Sequence, residues 1–199
     1  MRALYAALRA AADALPHVVA AGGLRDVGYY AIEALRIERG FRALPADIAG
    51  DTSPYEAGLG WAVKLRKAGA AGVQGHAALA AAQARGTPER RLVHFAFADP
   101  DVYAHGDEPL FVGGVAVGWS TSVAWAETAG RCVGMGYVTL PPAAAGDEAP
   151  HSGALCAPFL ASTEGEWEAE VFGQRRRLTR VGLKALYDPD GDRMRVDGD

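Results

Sequence analysis

Apolar residues in the first part of the chain recur at the spacing of one helix face. The i, i+4, i+7, i+11 pattern is carried by Leu4, Leu8, Ala11 and Leu15. Pro16 is expected to end this helix, because proline lacks the amide hydrogen that a helix interior needs. Comparable patterns occur twice more before residue 87. Helices are therefore predicted over residues 3–15, 24–38 and 74–84.

After Pro88 the pattern changes to short apolar runs separated by turn residues. Strands are predicted over residues 92–97, 109–112, 115–120, 132–138, 167–172 and 176–181. Gly113-Gly114 and Gly173 each stand between two runs and predict hairpins, while residues 141–158, rich in Ala, Gly and Pro, are expected to be irregular. The predicted fold class is α+β: a helical and mixed segment, residues 1–87, followed by a small antiparallel β-barrel, residues 88–199.

The connecting segment, residues 41–63, carries a helix-start signal and an unusual tryptophan. Ser53 precedes Glu56 by three residues with Pro54 between them, the pattern of a capping box before a short helix over residues 57–63. Trp61 follows Gly58-Leu59-Gly60, where small residues let another group approach closely. On composition alone, both a core aromatic and a ligand-contacting side chain remain open for Trp61.

Composition and charge exclude several classes of protein. Half of the 199 residues are apolar, which is too many for a disordered chain, and the net charge of −4 disfavours coating of nucleic acid or anionic membranes. Cys132 and Cys156 form no CxxC motif and indicate a reducing compartment without a disulfide framework. With no long apolar run and no leader-like N-terminus, a cytoplasmic protein is expected.

Familiar catalytic and metal-binding patterns do not occur in the sequence. It contains no GxGxxG, GxxxxGK[ST], HExxH or GxSxG motif, and its five histidines are scattered singly, so no metal site is expected. His94 is interpreted as part of one face of a strand. Residues 175–177, three arginines, are interpreted as a solvated strand surface rather than an anion patch. Residues 188–192 lack the final Glu of a calcium loop and are interpreted as a turn.

Several ordered segments resemble one known family. They are YYAIEALRIERGFR at residues 29–42, Asp47-Ile48, TSPYEAGLGWAVKL at 52–65, GDEPL at 106–110, VGWSTS at 117–122, GMGYV at 134–138 and LYDP at 186–189. In this order they are similar to the C-terminal half of the folate-dependent aminomethyltransferases, the family of the glycine-cleavage T-protein. Residues 36–42 and 56–60 most resemble the branch found at the C-terminal ends of dimethylglycine and sarcosine dehydrogenases. The cysteine motif of the related iron–sulfur assembly branch has no counterpart here.

The resemblance implies a role in transferring a one-carbon unit from a methylated amine to tetrahydrofolate. Tetrahydrofolate is the implied cofactor, and nothing resembles a flavin fold. The family's catalytic carboxylate and its pterin-gripping glutamate belong to the front half, which would lie upstream of Met1, so no catalytic residue is assigned. Trp61 is expected near the pterin or aminobenzoyl group, and Arg91 and Tyr187 are expected to meet the anionic glutamate tail.

Two hypotheses about function therefore stay open. In the first, the chain is a folate-binding portion that needs a partner chain, a second copy of itself or an upstream segment to supply the missing half; homo-oligomerisation is one form of this. In the second, it is a non-catalytic binding or assembly module that retains only the scaffold. Neither hypothesis involves nucleic acid or membrane.

Overall fold

The architecture was obtained as a computed structural model. It describes residues 1–67, 69, 72–86, 88, 90–139, 160, 163 and 165–194. The segment predicted to be irregular, residues 141–158, lies outside the described residues, as does Cys156. The chain divides into two compact units, residues 1–32 and residues 33–199.

Helices dominate the first unit. The first predicted helix is confirmed as α1, Arg2–Asp13, and Pro16 opens a short second helix, α2, Pro16–Ala20, because proline suits the first helical position, where no amide donor is needed. Arg9 donates to the carbonyl of Leu24 at 3.2 Å and to the carboxylate of Asp26 at 2.7 Å.

The remaining helices are shorter than the patterns predict. The second predicted helix begins only at Tyr29, as α3, Tyr29–Arg39, and the Leu24 carbonyl, which would accept from the Gly28 amide in a helix, accepts from Arg9 instead. The third is α4, His76–Ala84. Among the described residues, none of the helices has both the length and the apolar character needed to cross a bilayer.

Six antiparallel strands form a closed barrel in the second unit. They are β1 Arg90–Phe97, β2 Pro109–Val112, β3 Val115–Ala126, β4 Arg131–Thr139, β5 Trp167–Val171 and β6 Gln174–Gly182. Around the barrel the order is β1-β4-β3-β2-β5-β6, and pairing of β1 with β6 closes it. The predicted fold class and both hairpins are confirmed. β3 extends beyond the predicted residue 120, because β4 pairs with it as far as Ala126.

Strand β1 is buried on both faces, and this places His94. Val93, Phe95 and Phe97 point into the barrel core, whereas Leu92 and Ala96 belong to a second cluster outside the barrel. That outer cluster includes Ile37 of α3, with Met135 and Tyr137 of β4. Since side chains alternate along a strand, His94 shares the outer face. It is therefore covered by the chain that follows α3 and is only 2% exposed.

Candidate functional site

A tight turn, residues 53–62, precedes the barrel and is bonded to the start of β1. We call it the Gly58 turn. Ser53 and Glu56 form the predicted capping box: the Ser53 amide donates to the Glu56 carboxylate at 2.7 Å, and the Glu56 amide donates to the Ser53 hydroxyl at 3.2 Å. Arg90 Nε donates to the same carboxylate at 2.9 Å, and the Leu92 amide donates to the Glu56 carbonyl.

The predicted helix over residues 57–63 is reduced to one 3₁₀ turn, Gly60–Ala62. Gly58 explains this, because its φ of +74° directs the chain out of the helical path. The capping box therefore closes a turn instead of starting a regular helix, and the turn stays short enough to present its backbone carbonyls to side chains from β1.

Arg91 of β1 lies against the Gly58 turn. Its Nη1 donates to the carbonyl of Tyr55 at 2.7 Å and to that of Glu56 at 3.2 Å. A Cβ at position 58 would lie 2.7 Å from this nitrogen and 2.9 Å from Nη2 of Arg42. Glycine is thus favoured by the backbone conformation, and it lets two guanidinium groups pack closely against the turn.

Arg42 reaches the same turn from the segment after α3. Its Nε donates to the carbonyl of Ala57 at 3.0 Å, and its Nη1 donates to the carbonyl of Gly40 at 2.8 Å. Burial lowers the pKa of Arg42, and the neighbouring positive charge of Arg91 lowers it further. Burial likewise lowers the pKa of Arg91. Two partly buried cations therefore lie side by side.

His94 lies beneath this pair of arginines. A Cβ at Gly40 would lie 2.7 Å from its Cε1 atom, so the ring packs directly on the glycine backbone. Burial, followed by the charge of Arg42, lowers the pKa of His94 to about 4, against an opposing contribution from Asp47. The imidazole is therefore neutral at pH 7.

Asp47 fixes the segment after α3 to the barrel. Its carboxylate is fully buried and accepts from Arg36 Nη1 at 2.5 Å, from the Thr121 hydroxyl at 2.5 Å and from the Ala43 amide at 2.9 Å. Its carbonyl accepts from the Tyr137 hydroxyl at 2.8 Å. Because all of these partners are charged or polar groups of the chain itself, the Asp47 carboxylate is committed to structure.

Trp61 and Tyr187 occupy different surroundings. Trp61, in the 3₁₀ turn, is 75% exposed, which is unusual for an indole. Tyr187 lies with Glu38 and Thr128 around a small pocket of about 160 Å³, and the guanidinium of Arg193 stands 5.3 Å from its ring centre. Trp61 is thus part of the Gly58 turn and Arg91 is bonded to it from β1, whereas Tyr187 belongs to a separate group of residues.

Comparison with known proteins establishes the family. Residues 4–67 match the GCVT N-terminal domain, and residues 90–188 match the glycine cleavage T-protein C-terminal barrel domain. The chain belongs to the glycine cleavage T-protein family. The aminomethyltransferase T of the glycine cleavage system from Bartonella henselae has a similar fold, with a TM-score of 0.57 and 25% identity over 78% of this chain and 37% of that one.

Relatives in this family are considerably longer proteins. The chain is 34% identical to 4-methylaminobutanoate oxidase (formaldehyde-forming) of Paenarthrobacter nicotinovorans, over 87% of this chain and 18% of the relative. It is 36% identical to human mitochondrial dimethylglycine dehydrogenase, over 63% of this chain and 14% of that protein. For the aminomethyltransferase of Desulforamulus reducens the identity is 36%, over 65% and 34%. The chain thus spans between about a seventh and a third of these relatives.

Within the T-protein fold, the sequence did not single out Arg42 or His94 as neighbours of Arg91. Arg42 lies in an irregular segment, and its position two residues after Gly40 carries no periodic signal. His94 was recognised only as a strand residue, and its burial depends on which element covers the outer face of the barrel. The boundary near Pro88 and the roles of Trp61, Arg91 and Tyr187 stay predictions.

Proposed function

We propose that this chain is the tetrahydrofolate-binding portion of a one-carbon transfer enzyme that acts on N-methylated amino acids. The family membership carries the proposal, together with the names of the relatives: an oxidase of 4-methylaminobutanoate, a dehydrogenase of dimethylglycine and aminomethyltransferases. Their common chemistry is removal or transfer of a one-carbon unit attached to an amine nitrogen. Tetrahydrofolate, when bound, supplies the nucleophile that accepts this unit.

The residues around the Gly58 turn suit a ligand with a flat ring and an anionic tail. Trp61 presents an exposed indole face on which a pterin or aminobenzoyl ring can stack. The guanidinium of Arg91 donates to no carboxylate among the described residues, and it is proposed to meet the glutamate tail. Tyr187 is proposed to add a hydroxyl contact to the tail. These residues bind and orient, and proton transfer is left to groups outside this chain.

A partner is part of the proposal, because the chain spans only a fraction of its relatives. We propose that a partner chain, a second copy or a connected segment covers apolar residues that stand exposed here. In the second unit these include Leu35, Phe41 and Leu44, and in the first unit Leu4 and Leu8. Exposed apolar residues of either unit would also serve the alternative function, a non-catalytic assembly module.

A calorimetric titration of the 199-residue chain with 5-formyl-tetrahydrofolate tests the proposal. We expect micromolar binding by the wild-type chain and a loss of about fivefold or more in the Trp61→Ala variant, because stacking on an aromatic ring is worth about 1 kcal/mol or more. Trp119→Ala is the matched control, since Trp119 is also an exposed tryptophan but lies on β3. It should bind like the wild type.

One result would overturn the proposal, and another would remove a contact from it. Absence of binding at millimolar ligand would refute folate binding by this chain and favour the assembly module. Equal binding by the Trp61→Ala and wild-type chains would remove the ring contact from the proposal. A Tyr187→Phe variant, which keeps the ring and loses the hydroxyl, tests the tail contact in the same titration.

A further inference from the structure

Strand β6 carries four arginines that differ in what neutralises their charge. Arg175 and Arg176 each form an ion pair with an acidic side chain, at 3.2 and 3.6 Å. Across the residues that the structure describes, Arg177 and Arg180 form no such pair. Two positive charges of this strand are therefore available to an anionic ligand.

Arg177 and Arg180 line the same cavity at the side of the barrel. Its volume of about 810 Å³ lies in the range of small-molecule pockets, and both arginines are exposed, so the cavity opens to solvent. Nη2 of Arg177 would lie 3.2 Å from a Cβ at Gly165, which is another lining residue. Lys184 also lines the cavity, but its ammonium group is paired with Asp190 at 2.6 Å. The unneutralised charge of the cavity is thus that of the two guanidiniums.

A β-bulge accounts for the presence of both arginines at one cavity. Where β1 advances by two residues, over 94–96, the paired part of β6 advances by three, over 179–182. Arg180 lies in this part of β6 and has a φ of +51°, which is disfavoured for a residue with a long side chain. In a regular strand, residues 177 and 180 would face opposite sides of the sheet. The bulge interrupts this alternation, and both residues line the cavity.

The remainder of the cavity wall is mainly aliphatic. β5 pairs with β6 only over residues 174–177, so among the described strands none lies beside the second half of β6 on that side. The cavity lies along this half of β6. Its apolar lining consists of Ala98, Leu160, Trp167, Leu178, Val181 and Leu183. A small inorganic anion would leave this apolar wall in water, whereas a hydrocarbon chain would cover it.

We propose that the cavity binds an amphiphilic carboxylate. The aliphatic chain of the ligand lies along the apolar wall, and Arg177 and Arg180 bind the carboxylate through charge-assisted hydrogen bonds. Trp61, Arg91 and Tyr187 do not line this cavity, so the site does not rest on the proposed function.

Octanoate is the probe for the site, and the indole Nε1–H resonance of Trp167 is the local reporter. Trp167 lines the cavity, and its Nε1 donates to the Thr163 hydroxyl at 3.0 Å. Octanoate, titrated at constant ionic strength into the ¹⁵N-labelled 199-residue chain, should shift this resonance saturably and leave that of Trp61 unchanged. Hexanoate should bind about tenfold more weakly, because it buries two fewer methylene groups. Octanamide, which has the same chain without the charge, should also bind about tenfold more weakly.

Substitution of the two arginines tests the binding of the carboxylate. Arg177→Gln and Arg180→Gln should each weaken octanoate binding about threefold, and the double variant about tenfold, as expected for two exposed charge pairs. Arg175→Gln is the matched control, because Arg175 is an exposed arginine of the same strand that does not line the cavity. This variant should bind octanoate like the wild type, and thermal unfolding shows that each variant is folded.

Three results would overturn the site. The first is a Trp167 resonance that does not respond to millimolar octanoate. The second is equal affinity of the wild-type chain for octanoate and octanamide, and the third is a folded double variant that binds octanoate as tightly as the wild type.

A folate titration separates this site from the proposed folate contacts, because Arg180 also lines the small pocket beside Tyr187. If 5-formyl-tetrahydrofolate shifts the Trp61 resonance and leaves octanoate bound, the two sites are distinct, as proposed. Displacement of octanoate by the folate would identify the cavity as part of the folate site and overturn this proposal. Octanoate binding without folate binding would refute only the proposed function, and folate binding without octanoate binding would refute only the carboxylate site.

Discussion

Replacement of His94 by glutamine is expected to change how the stability of the protein depends on pH. The unfolded chain binds a proton at this histidine near pH 6.5, whereas the folded chain does so only near pH 4, because burial and the Arg42 charge oppose it. Between these values the unfolded state binds more protons than the folded state. The free energy of unfolding therefore falls as the pH is lowered from about 6.5 towards 4, and this contribution is constant above that range.

The magnitude follows from the displaced pKa. One pKa unit corresponds to about 1.4 kcal/mol, so the fall from 6.5 to about 4 amounts to about 3 kcal/mol when complete. At pH 5, where the folded histidine is still largely neutral, about 2 kcal/mol of this has been lost. Such a loss is a large share of the stability of an ordinary domain.

Urea unfolding followed by tryptophan fluorescence at pH 7.5 and pH 5 measures this contribution. The drop in unfolding free energy between the two pH values should be about 2 kcal/mol smaller in His94→Gln than in the wild type, whatever the variant's stability at pH 7.5. His17→Asn, which replaces an exposed histidine, should retain the full wild-type drop. An equal drop in His94→Gln and wild type would refute the reasoning, as would an NMR titration that places the folded His94 near its ordinary pKa.

Two further substitutions test the polar contacts of Asp47 and the packing of the barrel core. Asp47→Ala should lower the unfolding free energy by about 2–4 kcal/mol, because it removes one of the two carboxylates paired with Arg36 and leaves the Ala43 amide without its acceptor; Asp51→Ala, at an exposed carboxylate, should change it little. Gly134→Ala should cost about 1–3 kcal/mol, since the added Cβ would lie 2.6 Å from the Phe95 ring, and a Phe95→Leu change combined with it should cost less than the sum of the two single changes. The explanation for Asp47 would be contradicted if Asp47→Ala and Asp51→Ala were equally stable in urea unfolding. The explanation for Gly134 would be contradicted if the cost of the double variant equalled the sum of the costs of Gly134→Ala and Phe95→Leu.

Most of the fold was accessible from local patterns. The strands from Pro109–Val112 and Trp167–Val171 lie within a residue of their predicted bounds, because turn glycines and β-branched or aromatic runs mark strand ends directly. Helix starts were less accurate. The predicted start at residue 24 is wrong. The Leu24 carbonyl accepts a hydrogen bond from Arg9 of α1, and a bond between residues so far apart in the sequence cannot be predicted from local periodicity.

For the candidate site, the sequence by itself determined the parts that depend on neighbouring residues. The capping box of Ser53 and Glu56, the tight turn at Gly58 and the family resemblance all reside in short ordered stretches. Only the tertiary structure decided that Arg42 and Arg91, which are far apart in the sequence, lie against the same turn, and that His94 is buried near them. The physical reason is that charge pairing and desolvation depend on distances in space, and these are fixed only when the barrel closes and the segment after α3 covers its outer face.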